Sequence, residues 1–121
     1  MENQTKMTVT DEIKFFKRNR FRLCSSSVTD DMYLGNGEFE RNSISTYRKM
    51  TRKEAIVLTI VKAEFWGEGT SSKHIDAVIV VTDKQYSYNI KRYFAQYPSD
   101  TSKVEILKDL MHRAFPNQEL N

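Results

Sequence analysis

Thr51-Arg52-Lys53-Glu54-Ala55-Ile56-Val57-Leu58-Thr59-Ile60-Val61-Lys62-Ala63-Glu64-Phe65-Trp66 decides the fold, because two structures compete for it. Thr51 and Glu54 have the T-x-x-E spacing of a helix capping box. A helix would gather Arg52, Thr59 and Lys62 on one polar stripe and bury Ile56, Val57, Ile60 and Val61. Against it, five of the six residues from Ile56 to Val61 are β-branched. Branching at Cβ costs rotamer freedom in a helix and packs well on a pleated surface. Apolar and polar residues do not alternate here, so a strand would be buried on both faces. The strand is the preferred reading and the helix stays open.

The chain after this stretch is easier to read. Gly67 to Ser72 is a loop, and Ile75 to Thr82 is a strand followed by a tight turn at Asp83-Lys84. Gln85 to Phe94 alternates, with Tyr86, Tyr88 and Ile90 on one face and Gln85, Ser87, Asn89 and Lys91 on the other. Such alternation suggests a sheet with one wet face. Pro98 stops that strand. Ser102 and Glu105 form a second capping box, and Val104, Leu107, Leu110, Met111 and Ala114 make the apolar stripe of a helix ended by Pro116.

Before the stretch, Ser43 to Lys49 is rich in β-formers. Tyr33 to Phe39 reads as a hairpin, because Asn36-Gly37 supplies the positive φ angles of a two-residue turn. Ser25 to Asp31 is a polar loop, and Arg20 to Leu23 a short strand. Thr10 or Asp11 caps a first helix on which Val9, Ile13 and Phe16 fall at helical spacing. That helix dissolves near Asn19. Residues 1–8 and 117–121 are expected to fray.

These elements describe one α+β domain over residues 1–121. It has a mostly antiparallel sheet of roughly three to six strands, a C-terminal helix packed on one face and a short N-terminal helix. Hydrophobic residues make up 39% of the chain and aromatics 12%, which excludes a disordered chain. The single cysteine, Cys24, excludes an intrachain disulfide and a multi-cysteine zinc site, and a plain, partly buried thiol is expected. The longest apolar run, Ala55 to Val61, is too short to span a bilayer, and residues 1–10 lack an apolar signal core. A cytoplasmic, reducing location is the expectation. Exposed strand edges admit a dimer without requiring one.

Charge is placed unevenly. Residues 1–53 carry 11 Lys/Arg against 7 Asp/Glu, and residues 54–121 carry 8 against 9. Lys14, Lys17, Arg18, Arg20 and Arg22 lie within nine residues that hold no acid, and Arg48, Lys49, Arg52 and Lys53 form a second cluster. Clustered cations neutralise phosphates, and Phe15, Phe16 or Phe21 could stack on unpaired bases, although helical spacing favours the core for these rings. The expected function is a small non-enzymatic binding module. Its basic N-terminal half meets nucleic acid or, alternatively, an acidic protein surface, as in an adaptor, inhibitor or immunity-type factor.

A third reading comes from His74-Ile75-Asp76 followed by Asn89-Ile90-Lys91 on the next strand. This hairpin resembles the central hairpin of PD-(D/E)xK nucleases, where an Asp and a second acid hold Mg²⁺ and a Lys positions the attacking water. The resemblance implies roles for Asp76 and Lys91. It also implies one for Glu64 or Glu54, standing for a helical Glu, if residues 51–66 are helical. Asn89 departs from the pattern, being neutral where the second carboxylate belongs. No cofactor is expected otherwise. His74 and His112 are read as exposed or helix-terminal, and Trp66 as core.

Overall fold

The computed structural model describes residues 8–85 and 88–121, without the side chain of Asn89. Helix α1 (Val9–Arg18) leads into β1 (Arg22–Val28), β2 (Met32–Gly35), β3 (Glu38–Met50), β4 (Glu54–Gly67), β5 (Thr70–Asp83), β6 (Asn89–Pro98) and α2 (Lys103–Ala114). The strands form one sheet in the order β1-β3-β4-β5-β6, with β2 on β3 beyond the end of β1. Every pairing is antiparallel. Among the described residues no helix is long and apolar enough to cross a membrane.

The deciding stretch is a strand. The T-x-x-E spacing closes a hairpin instead of capping a helix: Thr51 N donates to Glu54 O at 2.9 Å, and Glu54 N donates to Thr51 Oγ1 at 3.0 Å. The side chain thus satisfies the same amide it would have satisfied in a helix. From that turn β4 pairs in unbroken register with β3 from Ala55 to Trp66, and with β5 from Glu54 to Gly67.

Several boundaries differ from the sequence reading. Thr8, not Thr10 or Asp11, caps α1: Asp11 N donates to its Oγ1, and Thr8 N donates to the Asp11 carboxylate. Ser25 to Val28 belong to β1, because β3 offers a backbone partner for each of them. Thr70 to Ser72 belong to β5, leaving only Glu68 and Gly69 in the β4–β5 turn. Strand β6 starts at Asn89 rather than Gln85 and runs on to Pro98. Residues 1–7, and the places given to Tyr86 and Ser87, lie outside the described residues. Residues 117–121, expected to fray, are held: Asn121 N donates to Asn19 Oδ1 at 2.7 Å, and Asn19 Nδ2 donates to Asn121 O at 3.0 Å. Leu120 packs against the core.

The core follows from side-chain alternation. Ile56, Leu58 and Ile60 of β4 face the same way as Ile75, Ala77, Ile79 and Val81 of β5, and all are at most 2% exposed. They join one cluster with Tyr47 of β3, with Phe15 and Phe16 of α1, and with Val104, Ile106, Leu107, Leu110, Met111 and Ala114 of α2. The Leu58→Ala variant is expected to lose about 2–5 kcal/mol of stability, since it opens a cavity where nothing can collapse inward. Urea unfolding at fixed protein concentration measures this, and a loss under about 1 kcal/mol would contradict the packing.

Candidate functional site

The basic N-terminal stretch folds around a sharp corner. Asn19, only 4% exposed, ends α1: its amide and its side-chain Nδ2 both donate to Phe15 O. Arg20 then takes φ +66°, a left-handed conformation that costs a non-glycine residue roughly 1 kcal/mol. The turn swings Phe21 inward, where it is 4% exposed and meets Phe16 edge-on at 6.4 Å. Arg20 and Arg22 remain exposed on either side of it.

β1 then lays these cations beside those of β3. Arg22 is the register partner of Arg48. Lys49 Nζ lies 5.8 Å from the Phe21 ring centroid. Burial first, and the charge of Arg20 second, hold the Lys49 ammonium below the usual lysine range. Between α1 and this corner opens a cleft of about 390 Å³. Ile13, Phe16, Phe21, Leu23 and Tyr47 supply its apolar wall, and Lys17, Arg20 and Arg22 its cations, with Glu12 the one acid lining it. Ile13 and Leu23 are more than half exposed.

Not all nine cations gather there. Lys14, Lys17 and Arg18 are exposed on α1, but Arg18 turns toward Asn121, donating from Nε to its carbonyl at 3.2 Å. Arg52 and Lys53 sit in the β3–β4 turn, at the end of the sheet where β1 begins. There they line a shallow depression with Asp83, Lys84 and Gln85. Lys84, which sequence reading did not single out, is anchored by donating to Thr51 O at 2.9 Å. The three ion pairs among the described residues are Arg41–Asp31, His74–Asp76 and Arg113–Asp109, and none uses any of the nine cations.

The nuclease-like residues are not brought together. Asp76 pairs with Gln96 and Lys91 with Val81, which places the two side chains on opposite faces of the sheet. Asp76 Oδ2 lies 3.2 Å from His74 Nε2. Lys91 sits on the core side, donates to Ala114 O and lies 4.6 Å from the Phe115 ring centroid, so it caps the last turn of α2. Its place on a wet face is therefore corrected. Glu64 is paired with Lys73, eight residues along β5 from the partner of Lys91, or roughly 26 Å. With residues 54–67 in a strand, no helix presents Glu64 or Glu54. Among the described residues no three His, Cys, Asp or Glu side chains converge on a metal site.

Other expectations change too. Cys24 is exposed rather than partly buried. His74 is half-buried and stacks on Phe65 at 5.8 Å. Trp66 lies outside the core: it stacks on Phe39 at 5.8 Å, with the Arg41 guanidinium 5.3 Å from its centroid, at the far end of the sheet.

Comparison with protein-family models, with curated proteins and with solved structures finds no match to this chain. What the site does must come from its geometry.

Crowding at Lys49 makes a direct prediction. Its lowered pKa means the unfolded chain binds more protons than the folded one between its folded pKa and the ordinary value of 10.5. Stability from this residue therefore rises with pH across that window. Arg20→Gln removes one cause and leaves burial, so the Lys49 pKa should move partway back up and the alkaline gain should shrink. An NMR titration of the Lys49 side chain, with urea unfolding at matched pH, checks both. An unchanged pKa would show that Arg20 does not act on Lys49.

Proposed function

We propose that this chain is a small, non-enzymatic binding module whose cationic end contacts nucleic-acid phosphates. The observation that carries the reading is the gathering of Lys17, Arg20, Arg22, Arg48 and Lys49 at one end of the sheet, Arg22 beside Arg48 on one face and Lys49 near Arg20 on the other, with no ion pair to a described residue. Like charges set side by side oppose folding. A left-handed arginine adds backbone strain. Both costs become favourable terms when a polyanion supplies the missing negative charge and its counterions are released.

In this reading the two helices cover one face of the sheet, and the corner between α1 and β1 carries the contact. Arg52, Lys53 and Lys84 extend it along the same end. Exposed, free Cys24 suits a reducing, cytoplasmic compartment, where a thiol persists unpaired. The contacts described are to phosphate, so no base specificity is proposed.

A second reading has one observation in its favour. The apolar wall of the cleft gives nothing to a phosphate. An acidic protein segment with an apolar side chain could use both the wall and the rim.

A salt titration separates them. If all five corner cations meet phosphates, the logarithm of affinity should fall against the logarithm of salt with a slope of up to about −4.5 on duplex DNA. The Arg22→Gln, Arg48→Gln double variant should reduce that slope by about 1.8. Filter binding or fluorescence anisotropy on mixed-sequence DNA and RNA reads both. Absence of binding at low salt rejects the nucleic-acid reading and leaves the acidic protein.

A further inference from the structure

Among the described residues, none of the helices covers the face of the sheet opposite the core. Every buried helix side chain that is apolar belongs to the core cluster, and that cluster takes its sheet residues from the other face. Yet the open face is not built for water. Read across the register, it carries Ile44 on β3, Val57 and Val61 on β4, Val78 and Val80 on β5, and Phe94 on β6. The aliphatic side chains are half-buried, and Phe94 is 54% exposed. A sheet with one wet face alternates apolar and polar residues; Ile56 to Val61 and Val78 to Val81 do not. Their composition is that of strands covered on both sides, and the described helices of one copy cover one side.

Size and charge indicate a second copy as the cover. The four strands β3 to β6, spaced ~4.8 Å apart, with the rows from Ala55 to Ala63, give a face of roughly 19 by 26 Å, with Arg48 at its edge and Arg22 of β1 outside it. Two such faces would bring roughly 1,000 Å² together, at the lower limit for a specific interface. Sheets pack in this way about 10 Å apart. One pair of opposite charges on the face, Arg92 and Asp76, can meet across it. Arg48, Val57, Val80 and Arg92 form one row; two residues along come Thr46, Thr59, Val78 and Phe94; two further come Ile44, Val61, Asp76 and Gln96. A two-fold axis lying between the sheets and across the strands, over the middle row, exchanges the outer two. Arg92 of one copy then falls one strand from Asp76 of the other. The Asp76 side chain is 30% exposed, and its Oδ2, 3.2 Å from His74 Nε2, can take a donor from the facing copy.

We propose that this open face is the contact between two copies of the chain, packed sheet to sheet, with Arg92 of each copy set against Asp76 of the other.

Sedimentation velocity and light scattering on the whole chain at micromolar concentration test it. The expected result is twice the chain mass. Val80→Glu should give the single-chain mass while keeping the far-ultraviolet circular dichroism and a cooperative melt. If Val80→Glu does not fold, Phe94→Glu, at an already exposed position, should give the same result. Arg92→Asp should weaken the dimer about tenfold or more, and adding Asp76→Arg should restore it. A wild-type chain that stays monomeric overturns the proposal, because the face then serves some other occupant. Dimers that survive both Val80→Glu and Phe94→Glu overturn it as well, and failure of the charge swap to restore binding overturns the Arg92–Asp76 arrangement.

Discussion

Ile56, Leu58 and Ile60 of β4 stand opposite Val81, Ile79 and Ala77 of β5, and this run of cross-strand pairs is the constraint on which the other elements depend. Because side chains alternate strictly along a strand, a slip of one residue would turn all of them to the other face. The pairing is protected at both ends of β4. Thr51 fixes the turn that enters it, and the Gly67–Thr70 pair fixes the turn that leaves. β3 and β6 are registered against this hairpin. α2 buries Leu107 and Leu110 in the same cluster, and α1 reaches it through Phe15 and Phe16.

The corner between α1 and β1 inherits its shape from that core. Phe16 and Tyr47 lie with ring centroids 4.4 Å apart, which fixes α1 against β3. Phe21 must then turn inward within a few residues of the helix end, and a left-handed Arg20 achieves this. The cations are carried to one place by apolar residues interleaved with them: Phe21 buries between Arg20 and Arg22, and Tyr47 between Thr46 and Arg48. Attraction between the charges plays no part, since they repel. Packing energy holds the electrostatic strain, and the exposed guanidinium and ammonium groups stay free to meet an anion.

Strand existence was legible wherever β-branched residues accumulate, as in Ile56 to Val61 and Ile75 to Thr82. It was illegible in Ser25 to Val28, because serine carries no strand signal and that segment is ordered by the amides and carbonyls of β3. The Thr51–Glu54 spacing was ambiguous for a physical reason: one hydroxyl satisfies the same amide in a helix cap and in this hairpin turn. Asp76 and Lys91 sit near the right places in sequence for a shared site. The face each takes depends on register, which only pairing sets. At the cationic corner the residue types were visible in advance. That Arg22 would lie against Arg48, that Ile13, Leu23 and Tyr47 would line one cleft, and that Lys84 would anchor the turn beneath Arg52 are tertiary facts with no local signal.

The two surfaces proposed here constrain each other. An axis across the strands exchanges the two ends of the sheet, so a face-to-face dimer would carry its cationic corners at opposite ends. The axis runs over the Thr46 row, two residues from Arg48, so the two Arg48 positions lie four residues apart along the strands, roughly 13 Å, with about 10 Å between the sheets. Corners this close would engage neighbouring stretches of one polyanion, and the second contact would gain from effective concentration. A dimer formed instead by an axis along the strands would place Arg48 against Arg92 and both corners at one end, concentrating like charge. The position of Asp76, one row beyond Phe94 and opposite the Arg92 row, therefore argues for the crossed arrangement.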